Sequence, residues 1–117
     1  MPEYGIPASV EGALPWAWAR ERLESALEFW VATTRPDGRP HLMPMWVAWV
    51  DEAAWFEGGL QTRRARNLEH DPRCAVGTNE GIESVIVEGI AERVTELDPA
   101  QVERLVAGYE KYVVARD

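Results

Sequence analysis

The length, composition and charge of the chain limit what it can be. Its 117 residues, of which 46% are hydrophobic, suffice for one domain with a core and are too few for two. A formal net charge of −8 argues against nucleic-acid binding and against an anionic membrane surface, because both depend on clustered Lys and Arg.

Cysteine usage and the distribution of apolar residues indicate a cytoplasmic protein. The single cysteine, Cys74, excludes an internal disulfide framework and suits a reducing compartment. No segment has the roughly 18 consecutive apolar residues of a membrane helix, and the N-terminus does not have the pattern of a signal peptide. We therefore expect one domain over residues 1–117 that binds neither nucleic acid nor membrane.

The first third of the chain predicts an arm, a helix and a strand. Residues 1–12 are rich in Pro, Gly and Glu and predict a loose N-terminal arm. A helix is predicted from Pro15 to about Glu28, with an apolar face formed by Trp18, Leu23, Ala26 and Leu27. The segment FWVATT (29–34) then predicts a strand, and RPDGR (35–39) predicts a tight turn.

The segment PHLMPMWVAWV (40–50) predicts one long strand that is apolar on both faces. A strand of this kind must be covered on both sides. In so small a protein one face can pack on the core, whereas the other needs a ligand or a second subunit. We therefore predict an obligate homodimer. One face would carry His41, Met43, Met45, Val47 and Trp49, and the other Leu42, Pro44, Trp46, Ala48 and Val50.

The remaining elements complete a mainly β chain. A turn at residues 51–52 leads into a third strand, AAWFEG, and RCAVGTN and IESVIVEGIAERV predict two more. A last helix over residues 98–117 starts with a pattern like a capping box between Asp98 and Gln101. This order predicts an antiparallel barrel or sheet with flanking helices. The apolar stripe of the last helix comprises Val102, Leu105, Val106, Tyr109, Tyr112 and Val113.

The stretch GGLQTRRARNLEHDP (58–72) predicts a helix whose start is unusually basic. Thr62 is the expected N-cap and Pro72 the expected stop. Three arginines, Arg63, Arg64 and Arg66, follow Thr62 directly, where each exposed cation costs roughly 0.3–1 kcal/mol against the helix dipole. At about 100° per residue one displayed face carries Arg63, Arg66, Asn67 and His70, whereas Ala65 and Leu68 lie opposite and pack inward.

Two interpretations of these arginines stay open on the residues alone. The Thr62 hydroxyl, the free N–H groups of the helix start and the planar guanidinium groups would form a phosphate pocket. Alternatively, the arginines pair with Glu57, Glu69 and other surface carboxylates, at about 0–1 kcal/mol a pair.

The chain carries no conventional catalytic or metal-binding set. His41 and His70 are the two histidines, and no cysteine pair or HExxH motif accompanies them. No GxSxG, GxGxxG or P-loop motif is present. We therefore predict no catalytic residue and no metal site, and on the residues alone His41 is more simply a strand-surface or core imidazole.

The stretch FWVATTRPDGRPHLMPMWVAWVDEAAWFEGGLQTRRARNLEHDPRCAV (29–76), followed by VIVEGIAERV (85–94), resembles the pyridoxamine 5′-phosphate oxidase-like split β-barrel family of flavin and deazaflavin reductases. The matching order is a strand, a DGRPH hairpin, a strand with Pro and Trp, a WF strand, a TRRARNL helix closed by DPR, and a VEG strand. Many relatives carry Lys in place of Arg64, and most continue past the last helix into a final strand that we expect to be absent here.

The resemblance implies an antiparallel split β-barrel of the FMN-binding type that dimerises and binds FMN or coenzyme F420 between subunits. The implied phosphate ligands are Thr62, Arg63, Arg64 and Asn67. The implied wall of the isoalloxazine ring comprises His41, Met43, Pro44, Met45 and Trp46.

The function implied by the resemblance is an oxidoreductase that transfers hydride from the flavin-type cofactor to a small organic substrate. In such a site the cofactor carries the chemistry, which agrees with the lack of a catalytic set. The alternatives are a non-catalytic flavin-, deazaflavin- or haem-binding protein of the same fold, and a dimeric scaffold without a ligand. Between the cofactors, the TRRARNL helix and DPR favour F420, and Arg35 or Arg39 would meet its oligoglutamate tail.

Overall fold

The structure of the protein is a computed structural model that describes residues 15–57, 62–80 and 83–116. The predicted N-terminal arm, residues 1–12, lies outside these ranges. So do the glycines before the basic helix. The side chain of Val113, which belongs to the predicted stripe of the last helix, is also not among those described.

Three helices and six strands alternate along the described chain. Their bounds are α1 Trp16–Ser25, β1 Phe29–Thr34, β2 Pro40–Met45, β3 Ala48–Val50, β4 Ala53–Trp55, α2 Arg63–His70, β5 Arg73–Thr78, β6 Ile86–Ile90 and α3 Pro99–Arg116. The strands form a four-stranded sheet in the order β2-β1-β5-β6 and a two-stranded sheet of β3 and β4. Every pairing is antiparallel, as the sequence predicts.

The four-stranded sheet has a buried inner face and an exposed outer face. On β1 the inner residues Phe29, Val31 and Thr33 are buried. They lie opposite Met45, Met43 and His41 of β2, so these β2 side chains belong to the inner face as well. The outer face carries large apolar residues from three strands, with relative exposures of 37% for Trp30, 59% for Leu42, 70% for Ile86 and 70% for Ile90.

The prediction of one strand over residues 40–50 is wrong. The strand ends at Met45 and a new strand starts at Ala48 in the other sheet. Val47, Ala48 and Trp49 are buried in succession because β3 is packed between α1 and α3. Both faces of β3 are therefore covered within the chain, whereas β2 stays largely exposed.

The first helix ends three residues before the predicted Glu28. Ala26 already has extended backbone angles, and the N–H of Leu27 donates to the carboxylate of Glu80 at 2.8 Å. The hydrogen bond from Glu80, just after the end of β5, thus fixes the point where the chain leaves α1 and enters β1. The core lies where α1 meets both sheets and comprises Leu23, Ala26, Phe29, Val31, Val47, Trp49, Val76 and Val85. Leu27, placed on the apolar face by the sequence, is exposed.

The last helix begins as predicted but packs over only part of its stripe. The N–H of Asp98 donates to Gln101 Oε1 at 3.0 Å and the N–H of Gln101 donates to Asp98 Oδ1 at 2.8 Å, which confirms the capping box. Tyr112 is buried, whereas Val102 and Val106 are exposed along a broad groove. Helix and β3 approach so closely at Gly108 that a Cβ there would lie 2.8 Å from Val50 Cγ2.

Candidate functional site

The basic helix α2 starts as the sequence predicts. Thr62 is its N-cap, and the Thr62 Oγ1 accepts a hydrogen bond from the N–H of Ala65 at 3.1 Å. Arg63 is exposed, and the guanidinium of Arg64 donates to the carbonyl oxygen of Glu57 at 2.9 Å. Because that acceptor is a neutral carbonyl, the charge of Arg64 is not neutralised by this contact.

The structure brings the basic helix to β2, the edge strand of the larger sheet. His41 is half-buried, and its Nδ1 has no hydrogen-bond partner among the described residues. Burial, and then the positive charges of Arg35, Arg63 and Arg64, lower the pKa of His41 below its usual value. The positive charges of Arg63 and Arg64 on α2 therefore act on His41 of β2.

The prediction that Asn67 lies on the displayed face of α2 is wrong. Asn67 is fully buried, and its Nδ2 donates to Thr33 Oγ1 at 3.0 Å. Its Oδ1 has no partner among the described residues. The helix packs on β1 through this polar pair. The sequence did not indicate this, because Ala65 and Leu68 are more apolar and were expected to form the packing face. Asn67 thus anchors the helix, whereas Arg63, Arg66 and His70 are exposed as predicted.

The five β2 residues predicted to line the ring do not share one surface. His41, Met43 and Met45 belong to the inner face, and Pro44 to the outer face opposite Trp30. Trp46 lies beyond the end of the strand. At about 3.3 Å per residue, Trp46 and His41 are separated by roughly 16 Å along the strand. Together they mark the two ends of a long edge and not one compact pocket.

Trp46 is the aromatic surface at the far end of this edge. Its indole is 55% exposed and stacks on the ring of Tyr112 of α3, with centroids 4.4 Å apart and an interplanar angle of 8°. Trp46 also lines a shallow depression of about 360 Å³. The other residues of that depression are Leu27, Glu28, Phe29, Trp30, Pro44, Met45 and Asn79.

A second, larger groove lies between the two sheets. It has a volume of about 2400 Å³ and is lined mainly by apolar side chains, among them Trp55, Phe56, Leu68, Val87, Leu105 and Tyr109. Cys74 also lines it, and burial raises the pKa of the Cys74 thiol, as expected of a cysteine that is not a nucleophile.

The alternative interpretation, in which surface carboxylates neutralise the arginines, finds little support for Arg63 and Arg64 in the described ion pairs. Glu69, one of the expected partners, pairs with Arg93 at 3.2 Å. Glu57 contributes its carbonyl oxygen to Arg64, and Arg63 makes no ion pair within residues 15–57, 62–80 and 83–116. Arg39, an expected contact for an acidic tail, pairs with Asp37 at 2.7 Å.

Sequence reasoning missed two residues of this region. Thr33 receives the hydrogen bond that orients Asn67, and Tyr112 supports Trp46. The alternation of FWVATT placed Thr33 on the same face as Phe29 and Val31, which was the available signal. Tyr112 gave no such signal, because its stacking partner is distant in sequence. No cluster of three possible metal ligands occurs in the described part of the chain.

The sequence of the chain matches the family model described as pyridoxamine 5′-phosphate oxidase over residues 17–116. The chain belongs to the pyridoxamine 5′-phosphate oxidase family. Its two antiparallel sheets with flanking helices are the split β-barrel fold of that family, which confirms the predicted fold class. No curated protein sequence matches the chain.

Among the solved structures similar to this family member, a conserved hypothetical protein from Mycobacterium tuberculosis is 31% identical, with a TM-score of 0.76 over 92% of this chain and 69% of that one. An F420 reductase is 27% identical, with a TM-score of 0.65 over 80% and 75% of the two chains. A haem-binding protein from Mycobacterium smegmatis, at 21% identity and a TM-score of 0.65 over 89% and 46%, shows the shared fold alone.

Within residues 15–57, 62–80 and 83–116, no helix is both long and apolar enough to cross a bilayer.

Proposed function

We propose that the protein binds a phosphate-bearing flavin-type cofactor, coenzyme F420 or FMN, along the edge strand β2 at the interface of a homodimer, and that it is an oxidoreductase acting on a small organic substrate. The observation that carries the proposal is the combined positive charge of Arg35, Arg63 and Arg64 that acts on the half-buried His41 of β2. Membership of the family and the similarity to an F420 reductase support it.

The basic end of the edge suits the phosphate of the cofactor. Arginine binds phosphate through parallel N–H groups, and the start of α2 adds backbone donors and the positive end of the helix dipole. In this arrangement Arg63 and Arg64 hold the phosphate, whereas Asn67 keeps the helix in place through Thr33.

The aromatic end of the edge suits the ring of the cofactor. A flavin-type cofactor carries its phosphate and its conjugated ring at opposite ends of a flexible chain, as the basic and aromatic ends of β2 require. Trp46 offers an exposed indole for stacking, and Met43 and Met45 are flexible apolar side chains beside it. As an edge strand, β2 also has backbone N–H and C=O groups that are available for the ring's polar atoms.

The chain's own residues position the reactants and keep out water. When bound, the cofactor supplies hydride transfer, so no protein nucleophile or metal is needed. Trp46, Met43 and Met45 would fix the plane of the ring, and a partner subunit would cover its other side. The small organic substrate would then stack against the ring face that stays accessible.

The outer face of the four-stranded sheet is the surface we propose for the dimer. Trp30, Leu42, Ile86 and Ile90 are exposed on it, and they come from three strands of one sheet. Soluble monomers rarely expose apolar patches of this extent. Trp30 and Pro44 also connect this face to the depression beside Trp46, so a second subunit on it would reach the ring site.

Coenzyme F420 is our preferred cofactor. The TRRARNL helix and the DPR that follows resemble the deazaflavin branch, and the F420 reductase is 27% identical over 80% of this chain. Arg35 forms no ion pair among the described residues, although its charge acts on Asp37, so it is better placed to meet an acidic tail than Arg39, which pairs directly with Asp37.

The second candidate is a non-catalytic haem-binding protein of the same fold. It is favoured by the lowered pKa of His41, because a neutral imidazole ligates iron, and by arginines that would bind haem carboxylates. Against it, the Nδ1 of His41 is buried, so iron could reach this imidazole only through the Nε2.

Visible absorption during titration tests these proposals. Purified protein is titrated in parallel with F420, FMN and haem, and bound ligand is separated from free ligand by gel filtration. We expect the tightest binding for F420. Tighter binding of FMN would replace F420 as the proposed cofactor and would leave the proposed site unchanged. A Soret band, with binding of haem alone, would establish the second candidate. Binding of none of the three ligands would mean that the protein is a scaffold without this function.

A further inference from the structure

Tyr112 is enclosed on several sides at the point where the two sheets separate. The residue is 4% exposed. Its ring stacks on Trp46 at 4.4 Å, lies 6.1 Å from the ring of Tyr109, and has the ammonium group of Lys111 at 5.2 Å from its centroid. The ring of Tyr112 is therefore held in one orientation by its neighbours.

The hydroxyl group of Tyr112 fastens this ring to the backbone beside Trp46. It accepts a hydrogen bond from the N–H of Val47 at 2.9 Å and donates to the carbonyl oxygen of Val47 at 3.2 Å. One side chain thus satisfies both backbone groups of the residue that joins β2 to β3. These groups are buried, so the pair also avoids the cost of unpaired polar atoms.

Trp46 depends on this support because neither sheet holds it. It lies in the two-residue gap between β2 and β3, where no strand pairing fixes its backbone. More than half of its side chain is exposed, so packing alone leaves the indole free to change rotamer. The contacts from Tyr112 supply the missing restraint, on the ring by stacking and on the next peptide by two hydrogen bonds.

We propose that Tyr112 is a positioning residue that holds the Trp46 indole as a stacking platform for the planar conjugated ring of the ligand. The inference rests on the proposed function and adds to it the residue that fixes the ring wall from the last helix. Tyr112 and Trp46 both line the larger groove, but only Trp46 reaches the depression, so one part of the indole is covered by Tyr112 and another part faces the depression. The ligand ring would then be the third member of a stack that begins at Tyr112.

The test compares two tyrosines of α3 that each donate a hydrogen bond to a backbone carbonyl. Tyr112→Phe removes the hydroxyl that binds Val47, whereas the control Tyr109→Phe removes a hydroxyl that donates to the carbonyl oxygen of Trp55 at 2.8 Å. Dissociation constants for FMN and F420 are measured below the melting temperature of every variant. Quenching of the fluorescence of the bound ring reports its stacking directly.

We expect Tyr112→Phe to weaken binding about 3- to 10-fold and to reduce the quenching, as loss of an ordered aromatic stack predicts. Tyr109→Phe should change the dissociation constant by less than about 2-fold. Trp46→Leu should weaken binding at least as much as Tyr112→Phe, and in the Trp46→Leu background Tyr112→Phe should have no further effect. Such coupling distinguishes positioning through Trp46 from a general loss of stability.

Three results would overturn the inference. The first is an equal effect of Tyr112→Phe and Tyr109→Phe on the dissociation constant, and the second is an undiminished effect of Tyr112→Phe in the Trp46→Leu background. The third is wild-type affinity in Trp46→Leu. Because the Trp46 side chain is largely exposed, Trp46→Leu should fold most readily of these variants. If the wild-type protein binds neither FMN nor F420, the proposed function itself fails, and this inference with it.

Discussion

The two halves of the segment PHLMPMWVAWV have similar apolar composition and opposite surroundings. Residues 40–45 form an edge strand that is mostly exposed, whereas Val47, Ala48 and Trp49 are buried between helices α1 and α3. The second half contributes to the core, and the first half is the part that we propose for a ligand and a partner subunit. Apolar residues on both faces of a strand therefore indicate a need for cover, but not what provides it.

Replacing the tryptophan of each half should give the largest contrast. Trp49→Ala should lower the free energy of unfolding by about 3–5 kcal/mol, because it leaves a cavity in the core and removes the edge contact with Trp16. Trp46→Ala should cost only about 0.5–1.5 kcal/mol, the value of its stack on Tyr112. Chemical denaturation measures both.

A matched variant sharpens this first prediction. Trp49→Phe keeps an aromatic ring and removes an indole N–H that has no partner among the described residues, so we expect a much smaller loss than for Trp49→Ala. Similar losses for Trp46→Ala and Trp49→Ala would contradict the division of the segment into an exposed and a buried half.

Removing the arginines beside the exposed half should affect binding and spare folding. Arg63→Ala and Arg64→Ala each remove charge-assisted hydrogen bonds of about 1.5–3 kcal/mol, so cofactor affinity should fall on the order of 10- to 100-fold. The apoprotein should melt at an unchanged or higher temperature, because a cation leaves the helix start. Cofactor titration and melting are measured on the same preparations.

The salt-bridge interpretation of the arginines makes the opposite prediction for both measurements. It requires unchanged affinity and a lowered melting temperature. Arg93→Ala is the matched control. Arg93 forms an ion pair with Glu69 of α2, the helix that carries Arg63 and Arg64, and it lies outside the proposed site. It should leave cofactor affinity unchanged.

A charge on the outer face of the exposed half should separate the proposed dimer. Leu42→Glu removes an apolar contact of roughly 1.5–3 kcal/mol and places a carboxylate in the interface, so dimerisation should weaken at least on the order of 10- to 100-fold. Sedimentation velocity at low micromolar concentration measures the change. A wild-type monomer at that concentration would refute the dimer and the inter-subunit site together.

Lys111 of α3, which lies beside the ring of Tyr112 near the junction of the two halves, should have a smaller, pH-dependent effect on stability. The ammonium group of Lys111 lies 4.8 Å from the ring of Phe29 without a hydrogen-bond partner in the described chain, and burial lowers the pKa of Lys111 to about 8, against a smaller opposing effect of Glu80. Above pH 8 the folded protein loses a proton that the unfolded chain, with its ordinary pKa of 10.5, still binds. Stability should therefore rise as pH increases from about 8 towards 9.

Lys111→Met tests this assignment. The variant should be more stable than the wild type at about pH 7, where both states of the wild type carry the proton, and the rise above pH 8 should largely disappear. Measurements stop near pH 9, because burial raises the pKa of the Cys74 thiol above its ordinary value of 9.0, and the unfolded chain then loses a proton that the folded protein keeps, which lowers stability. Tyr109, whose pKa is raised to about 12 from 10.0, has the same effect at higher pH. A wild-type protein whose stability does not change over this interval would disprove the prediction.

Local signals in the sequence predicted local structure well. The cap at Thr62, the reciprocal pair of Asp98 and Gln101, and the turn at Gly38, whose φ is 91°, depend on residues within three or four positions of each other. They occur as expected because short-range hydrogen bonds and steric limits do not need the rest of the fold. The order of the features along residues 29–94 was likewise enough to indicate the family.

Predictions that depended on distant parts of the chain were less accurate. The end of α1 is set by Glu80, which is more than fifty residues away, and the inward orientation of Asn67 by Thr33. Helical periodicity placed Asn67 among the arginines because a polar side chain ordinarily faces solvent. A buried hydrogen-bond partner on another element reverses that preference, and no pattern within the helix records it.

The sequence by itself determined the fold class, the family, the basic start of α2 and the excess of apolar residues in the segment 40–50. Only the tertiary structure decided which half of that segment is covered, that the charges of the arginines act on His41, and that Tyr112 stacks on Trp46. The reason is that composition and periodicity set what each residue requires, whereas burial, stacking and the sum of several charges depend on elements that come together only when the chain folds.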